Sequence, residues 1–223
     1  MGAIRAGFPA AIAGTVLAVT LLLGACSGGP GNKETPTPTD HVHPLQADIG
    51  KIAREKPEFV LRDIEGNEFD FREETDGYIT LLYFGYTYCP DKCPSHMADL
   101  AAVIDKHPEI ADQLKVVFVT VDPPRDTQDR MRLWLGLFDE DFIGLTGTQD
   151  EIAQASKAAL ADEWFPPETA TFGTGDYSVR HGAYVIAYGY DNTAQTIWPF
   201  GTRQSTYEHD LLALISQGDS NDS

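Results

Sequence analysis

From Phe59 onward, short apolar runs of strand length alternate with stretches whose apolar residues recur at helical spacing. FVLRD-IEGNEFDF, Phe59 to Phe71, has two such runs around Gly66-Asn67 and predicts a β-hairpin. Tyr78–Phe84 (YITLLYF) is an apolar run suited to a strand buried on both faces. After Pro94, the residues Met97, Leu100, Ala101 and Ile104 fall at i, i+3, i+4 and i+7, which makes one face of a helix apolar. Lys115–Val121 predicts a second buried strand, Arg130–Phe138 a short amphipathic helix, Phe142–Leu145 a short strand and Gln149–Leu160 another helix. Ala183–Tyr188 predicts a strand with Gln195–Trp198 as its hairpin partner, and Ser205–Ile215 a final helix.

Strands separated by helical segments imply βαβ units and a central sheet covered on both faces. A hairpin, then βαβ units, then a second hairpin and a helix is the element order of a thioredoxin-like α/β fold. The expectation is a central mixed sheet flanked by helices, with an N-terminal β-hairpin and an inserted β-hairpin, over residues 49–218. At 223 residues with 42% hydrophobic content, the chain can bury one such core.

The segment before the core has a different composition. Met1–Gly7 carries one charge, Arg5, and Phe8–Ala25 is apolar or small, interrupted by Pro9, Gly14 and Gly24. Ending in Leu23-Gly24-Ala25-Cys26, it reads as an export signal over residues 1–25. The cysteine after small residues resembles a bacterial lipobox, which makes Cys26 a candidate lipidation site. Ser27–Pro44 is rich in Gly, Pro, Thr and Ser, so residues 26–48 are expected to be a flexible tether and 219–223 a disordered tail. This places the core outside the cytoplasm, on a lipid anchor at the bacterial cell membrane, where disulfides persist. The net charge of −18 excludes a nucleic-acid binder, which needs a basic footprint.

With Cys26 set aside, Cys89 and Cys93 are the remaining cysteines, in YCPDKCP at the end of a predicted strand. Pro94 disfavours α geometry for Cys93, so Cys93 is expected just outside a helix start. Helix N-termini favour thiolate, the form that both attacks disulfides and binds metal. An inert disulfide between them is the bland alternative, but a loop of three intervening residues constrains the unfolded chain little. Thioredoxin-type couples have two intervening residues and a proline before the facing strand. Here that segment is Tyr177-Ser178-Val179-Arg180-His181-Gly182, with a histidine and no proline. Two thiolates and an imidazole suit copper, with zinc the competitor on donor type. His96 is expected to face solvent, Met97 to sit in the core, and His41 and His43 to be incidental to the tether. Asp122, Arg125 and Asp126 lie at a strand end, where a turn with Asp126 or Thr127 as helix cap is expected.

YCPDKCP before a helix, VDPPRDT at Val121–Thr127 and a histidine opening a late apolar strand together resemble the Sco/SenC family. The resemblance spans roughly Phe59 to Ile215. It implies a membrane-tethered thioredoxin-like protein that delivers copper to the dinuclear copper site of cytochrome c oxidase, a carrier and not an enzyme with turnover. It makes Cys89, Cys93 and His181 the ligands of one copper ion, Cu(I) or Cu(II), with Asp91 outside the ligand set. Partners are then the oxidase subunit carrying that site, other copper chaperones and thiol reductants. The alternative is a thiol–disulfide oxidoreductase acting through the same two cysteines. One departure stands out: Val179-Arg180-His181-Gly182 replaces the family's VDHS, putting a positive charge where a negative one is usual. Trp164–Asp176 is expected to be a mobile loop over the site.

Overall fold

The computed structural model describes residues 54–159, 178–179 and 181–219. The signal, lipobox and tether, with Cys26, His41 and His43, lie outside these residues. So do the Trp164–Asp176 loop, Arg180 and all of the tail beyond Asp219.

Val60–Asp63 (β1) and Glu68–Asp70 (β2) form the N-terminal hairpin, registered Val60 to Asp70 and Arg62 to Glu68. Gly66 closes its turn at φ +92°, a conformation that side chains rarely adopt. Asp70 then caps a one-turn helix, Phe71–Glu74 (α1), by accepting from the amides of Arg72 and Glu73. Four residues leave no periodicity to read, and this helix is not anticipated by the sequence pattern.

The fully buried strand Ile79–Gly85 (β3) pairs in parallel with Leu114–Thr120 (β4), which pairs in parallel with Ile143–Thr146 (β5). Tyr184–Tyr188 (β6) runs antiparallel on the other side of β3, with Ala194–Pro199 (β7) beyond it. The order in the seven-stranded sheet is β2-β1-β5-β4-β3-β6-β7. This mixed sheet agrees with the expected thioredoxin-like arrangement. The hairpins among the described residues are β1–β2 and β6–β7; no further, inserted hairpin is found there.

Alternation along the central strands divides the core in two. Leu81, Tyr83, Val116, Phe118 and Val185 share one cluster with Met97 and Leu100 of Lys92–Lys106 (α2). That cluster also holds Trp134 of Gln128–Leu135 (α3) and Leu211 of Gln204–Asp219 (α5). Leu82, Phe84, Val117 and Ile186 face the other way, against Phe71 and against Ile152 of Gln149–Ala158 (α4). Both faces are covered, as expected. Helix α3 ends earlier than the apolar pattern indicates, because Gly136 caps it after Leu135. A 3-10 turn, Pro108–Gln113, links α2 to β4.

Candidate metal centre

The site is built where β3 runs out. The chain leaves β3 at Gly85, turns through Tyr86 to Pro90 with the Cys89 amide donating to the Tyr86 carbonyl (3.1 Å), and enters α2 at Lys92. Asp91 is the N-cap, its carboxylate accepting from the Lys92 amide at 2.8 Å. Cys93 therefore lies inside the first helical turn and not outside the helix start. The reason is local: Pro94 falls among the opening positions whose N–H groups have no intrahelical partner, so the helix starts before it.

Antiparallel pairing of β6 with β3 brings Val185 beside Tyr83, so the residues preceding β6 lie next to the loop that carries the cysteines. His181 arrives there. One ligand atom each from Cys89, Cys93 and His181 lie within 4.8 Å of one another. The Cys93 Sγ is 3.2 Å from His181 Nε2, and the Cys93 amide is 3.4 Å from Cys89 Sγ. Both cysteines are free thiols and buried, and His181 is half-buried. The other ring nitrogen of His181, Nδ1, is 3.0 Å from the Val179 carbonyl. A carbonyl only accepts, so Nδ1 carries the proton, and Nε2 of the neutral ring presents a lone pair to the sulfurs.

The two thiols differ in acidity. Hydrogen bonds from the Cys93 thiol and from the Cys93 and Asp91 amides hold the Cys89 thiol well below the usual thiol range, against the opposing effect of burial. Burial pushes Cys93 up, and the neighbouring Cys89 sulfur adds to the rise. Of the two thiols, Cys89 is therefore the one whose ionisation its surroundings favour. Burial likewise raises Tyr83, whose hydroxyl lies 3.3 Å from Cys93 Sγ and 3.4 Å from His181 Nε2. A cleft of about 440 Å³ opens onto the group, lined by Tyr86, Cys89, Pro90, Asp91, Lys92 and His181 among others.

VDPPRDT supports this loop from behind. Buried Asp126 accepts from the Thr87 amide (3.0 Å), the Thr87 hydroxyl (2.6 Å) and the Thr120 hydroxyl (2.7 Å). It ties the segment before Cys89 to the end of β4. Thr127 is the helix cap, accepting from the Arg130 amide; Asp126 is a strut. Asp122 is buried and paired with Arg125. Met97 is core, as expected.

His96 departs from its expected place. It is 3% exposed, with Nδ1 2.5 Å from the Tyr207 hydroxyl and Nε2 3.3 Å from the Ala183 carbonyl. The apolar stripe of α2 omits it, but α5 packs on α2 and brings Tyr207 to it, so a polar residue is buried with both nitrogens matched. Burial lowers its pKa to about 4. The sequence pattern does not mark Tyr83, Thr87 or Gly85 as parts of the site. The one available signal was Tyr83 itself, since a tyrosine on a buried strand needs a partner for its hydroxyl.

A mixed sheet flanked by helices, with two thiols and an imidazole at its strand–helix junction, defines a thioredoxin-like domain with a group placed to hold a metal ion. A family model for SCO1/SenC matches residues 48–216, and the chain belongs to that family. A protein of Stutzerimonas stutzeri described as copper-binding is 35% identical over 150 residues, 66% of this chain and 72% of its own length. The mitochondrial SCO2 homologue of Danio rerio is 33% identical over 140 residues, 61% of this chain; the chain spans 48% of that relative. Among solved structures, Bradyrhizobium japonicum ScoI with copper bound superposes with a TM-score of 0.62 at 28% identity, covering 72% of this chain and 99% of that one.

Proposed function

We propose that this protein takes up one copper ion between Cys89 Sγ, Cys93 Sγ and His181 Nε2 and hands it to the apo dinuclear copper site of cytochrome c oxidase. The convergence of those three atoms within 4.8 Å carries the reading. Two sulfurs and an imidazole are soft and borderline donors, suited to copper and unsuited to calcium or magnesium. Zinc shares the donor preference, and relatives that bind copper decide between them. Copper is cargo here: three protein ligands leave room for an incoming ligand from the acceptor, which release requires. His181→Ala is expected to lower copper stoichiometry well below one per chain, read by metal analysis after dialysis against a competing chelator. Unchanged stoichiometry and affinity would remove His181 from the ligand set.

The unequal acidity of the two thiols favours a second use of the same pair. The Cys89 thiolate attacks a partner disulfide, and Cys93 then displaces the partner's second thiolate. Two electrons pass to the partner and a Cys89–Cys93 disulfide remains. His181→Ala keeps both sulfurs, so disulfide reduction is expected to survive in it when copper binding does not.

The location follows from the chain before the core. The signal over residues 1–25 exports the protein, Cys26 takes the lipid, and residues 26–48 tether the domain to the extracytoplasmic face of the membrane. Cys26→Ser is expected to move the protein from the detergent phase to the aqueous phase in a detergent-partition assay; retention in the detergent phase would mean another anchor.

A further inference from the structure

One buried imidazole beside the proposed copper site is not among its ligands. His96 stands one turn after Cys93 on α2, and both side chains are buried. Its Nε2 lies 3.3 Å from the Ala183 carbonyl, and a carbonyl only accepts, so Nε2 carries the proton. Nδ1 then accepts from the Tyr207 hydroxyl at 2.5 Å. The same carbonyl accepts from the Phe200 amide at 2.8 Å, which uses its second lone pair. Tyr207 is itself held in place. Its ring packs 4.9 Å from that of Trp198 on β7, and the Trp198 indole donates to buried Asp210 of α5 at 2.9 Å. A chain of bonds and ring contacts thus runs from α5 through His96 to the backbone two residues beyond His181.

We propose that His96 and Tyr207 are positioning residues for His181, holding its backbone at the distance from α2 at which Nε2 meets the sulfurs. The inference rests on the Cys89–Cys93–His181 reading and says what keeps that group formed before the ion arrives. Residues 178–179 and 181–183 belong to no strand or helix, and β6 pairs with β3 only from Val185 onward. The bond from His181 Nδ1 to the Val179 carbonyl stays within this segment, so it orients the ring without tying the segment to the cysteines. Tyr83 and Tyr86 stand edge-on to the imidazole, at 6.2 and 5.1 Å between centroids, and limit its tilt. The bond from His96 adds a directional tie between the segment and the helix that carries Cys93. One helix therefore supplies a ligand and, three residues on, sets where a second ligand sits. Copper then meets donors already spaced, and little ordering is left for the binding step. A buried histidine is costly unless both nitrogens are matched; here both are, and the matched pair specifies one placement of the segment.

The test reads copper affinity of the full chain in neutral detergent micelles by competition with a chelator, and the coordination shell by X-ray absorption. Tyr207→Phe keeps the ring and removes the donor, whereas His96→Leu keeps the bulk and removes both bonds. Affinity is expected to fall about tenfold in His96→Leu and several-fold in Tyr207→Phe, with a weaker imidazole contribution to the copper spectrum. In a His181→Ala background the same substitutions are expected to change affinity by less than about twofold, because residues acting through a ligand lose their effect with it. Equal losses in the two backgrounds, or none in the parent, overturn the positioning role and leave the ligand set standing. An affinity untouched by His181→Ala itself overturns the ligand set, and this inference with it. An imidazole that survives in His181→Ala and vanishes in His96→Leu makes His96 the ligand and overturns the proposal. Should His96→Leu not fold, Tyr207→Phe carries the same comparison, since it leaves the ring packing intact.

Discussion

Tyr83 has a hydroxyl with few alternatives. Its ring is fully buried on β3, and the oxygen faces the sulfur of Cys93 and the Nε2 of His181, two of the three proposed ligand atoms. Partners that orient metal ligands typically change affinity by about 10- to 100-fold when removed. Tyr83→Phe is therefore expected to change copper affinity by about tenfold in a chelator competition while shifting the urea midpoint little. Equal affinity in the two proteins would make the hydroxyl a bystander. The sequence pattern marks Tyr83 only as strand core, because hydrophobic periodicity reports which face is buried and not what the tip of a side chain touches. For Cys89 and Cys93 the reverse holds: residue type and spacing alone mark them as reactive.

At the scale of elements, the site depends on how closely β3, β4 and α2 approach. Gly85 ends β3 opposite Thr120 of β4. A Cβ there would lie 2.5 Å from the Tyr83 ring, 2.9 Å from the Phe118 ring and 3.0 Å from Cys93 Sγ. These rings are buried and have nowhere to move. Overpacking of this kind costs roughly 1–3 kcal/mol. Gly85→Ala is expected to lose about that much stability in urea and to retain copper more weakly, since the displaced neighbour is a proposed ligand sulfur. A variant as stable as the parent would show that the junction has slack. The helix start was legible only in part. Pro94 announces a first turn but not its register, and the capping bond of Asp91 sets that register one residue earlier than the cysteine.

Over the whole molecule, acid acts on buried imidazole. His96 is neutral in the fold, with its pKa lowered to about 4, against an unfolded value near 6.5. Between those values the unfolded chain binds the extra proton, so stability rises with pH across that window and falls as pH drops through it. The contribution lost by about pH 4 is roughly 3 kcal/mol as an upper figure. His107 works in the opposite sense. Glu208 and Glu109 raise its pKa, so what it contributes is full below the unfolded value and fades as pH rises through the folded one. His107 is half-buried but solvent reaches its partner carboxylates and screens the pairs, so His96 dominates. His96→Gln, which cannot titrate, is expected to flatten the acid limb between pH 6.5 and 4 in urea-midpoint measurements. An acid limb as steep as the parent's would place the titration elsewhere.

The sequence alone determined the alternation of strands and helices, both buried central strands, the cysteine pair and its family, because strand and helix periods and the chemistry of a residue type are local properties. The family motifs also pointed to His181 as the proposed third ligand. Only the tertiary structure decided that His181 Nε2 reaches the sulfurs, that Asp126 is a strut and not a cap, and that His96 is buried and not solvent-facing. Each of these needs residues far apart in the chain to meet: β6 must pair with β3, α5 must pack on α2, and the end of β4 must lie under the cysteine loop. Spacing along the chain does not encode such distances; the closing of the sheet does.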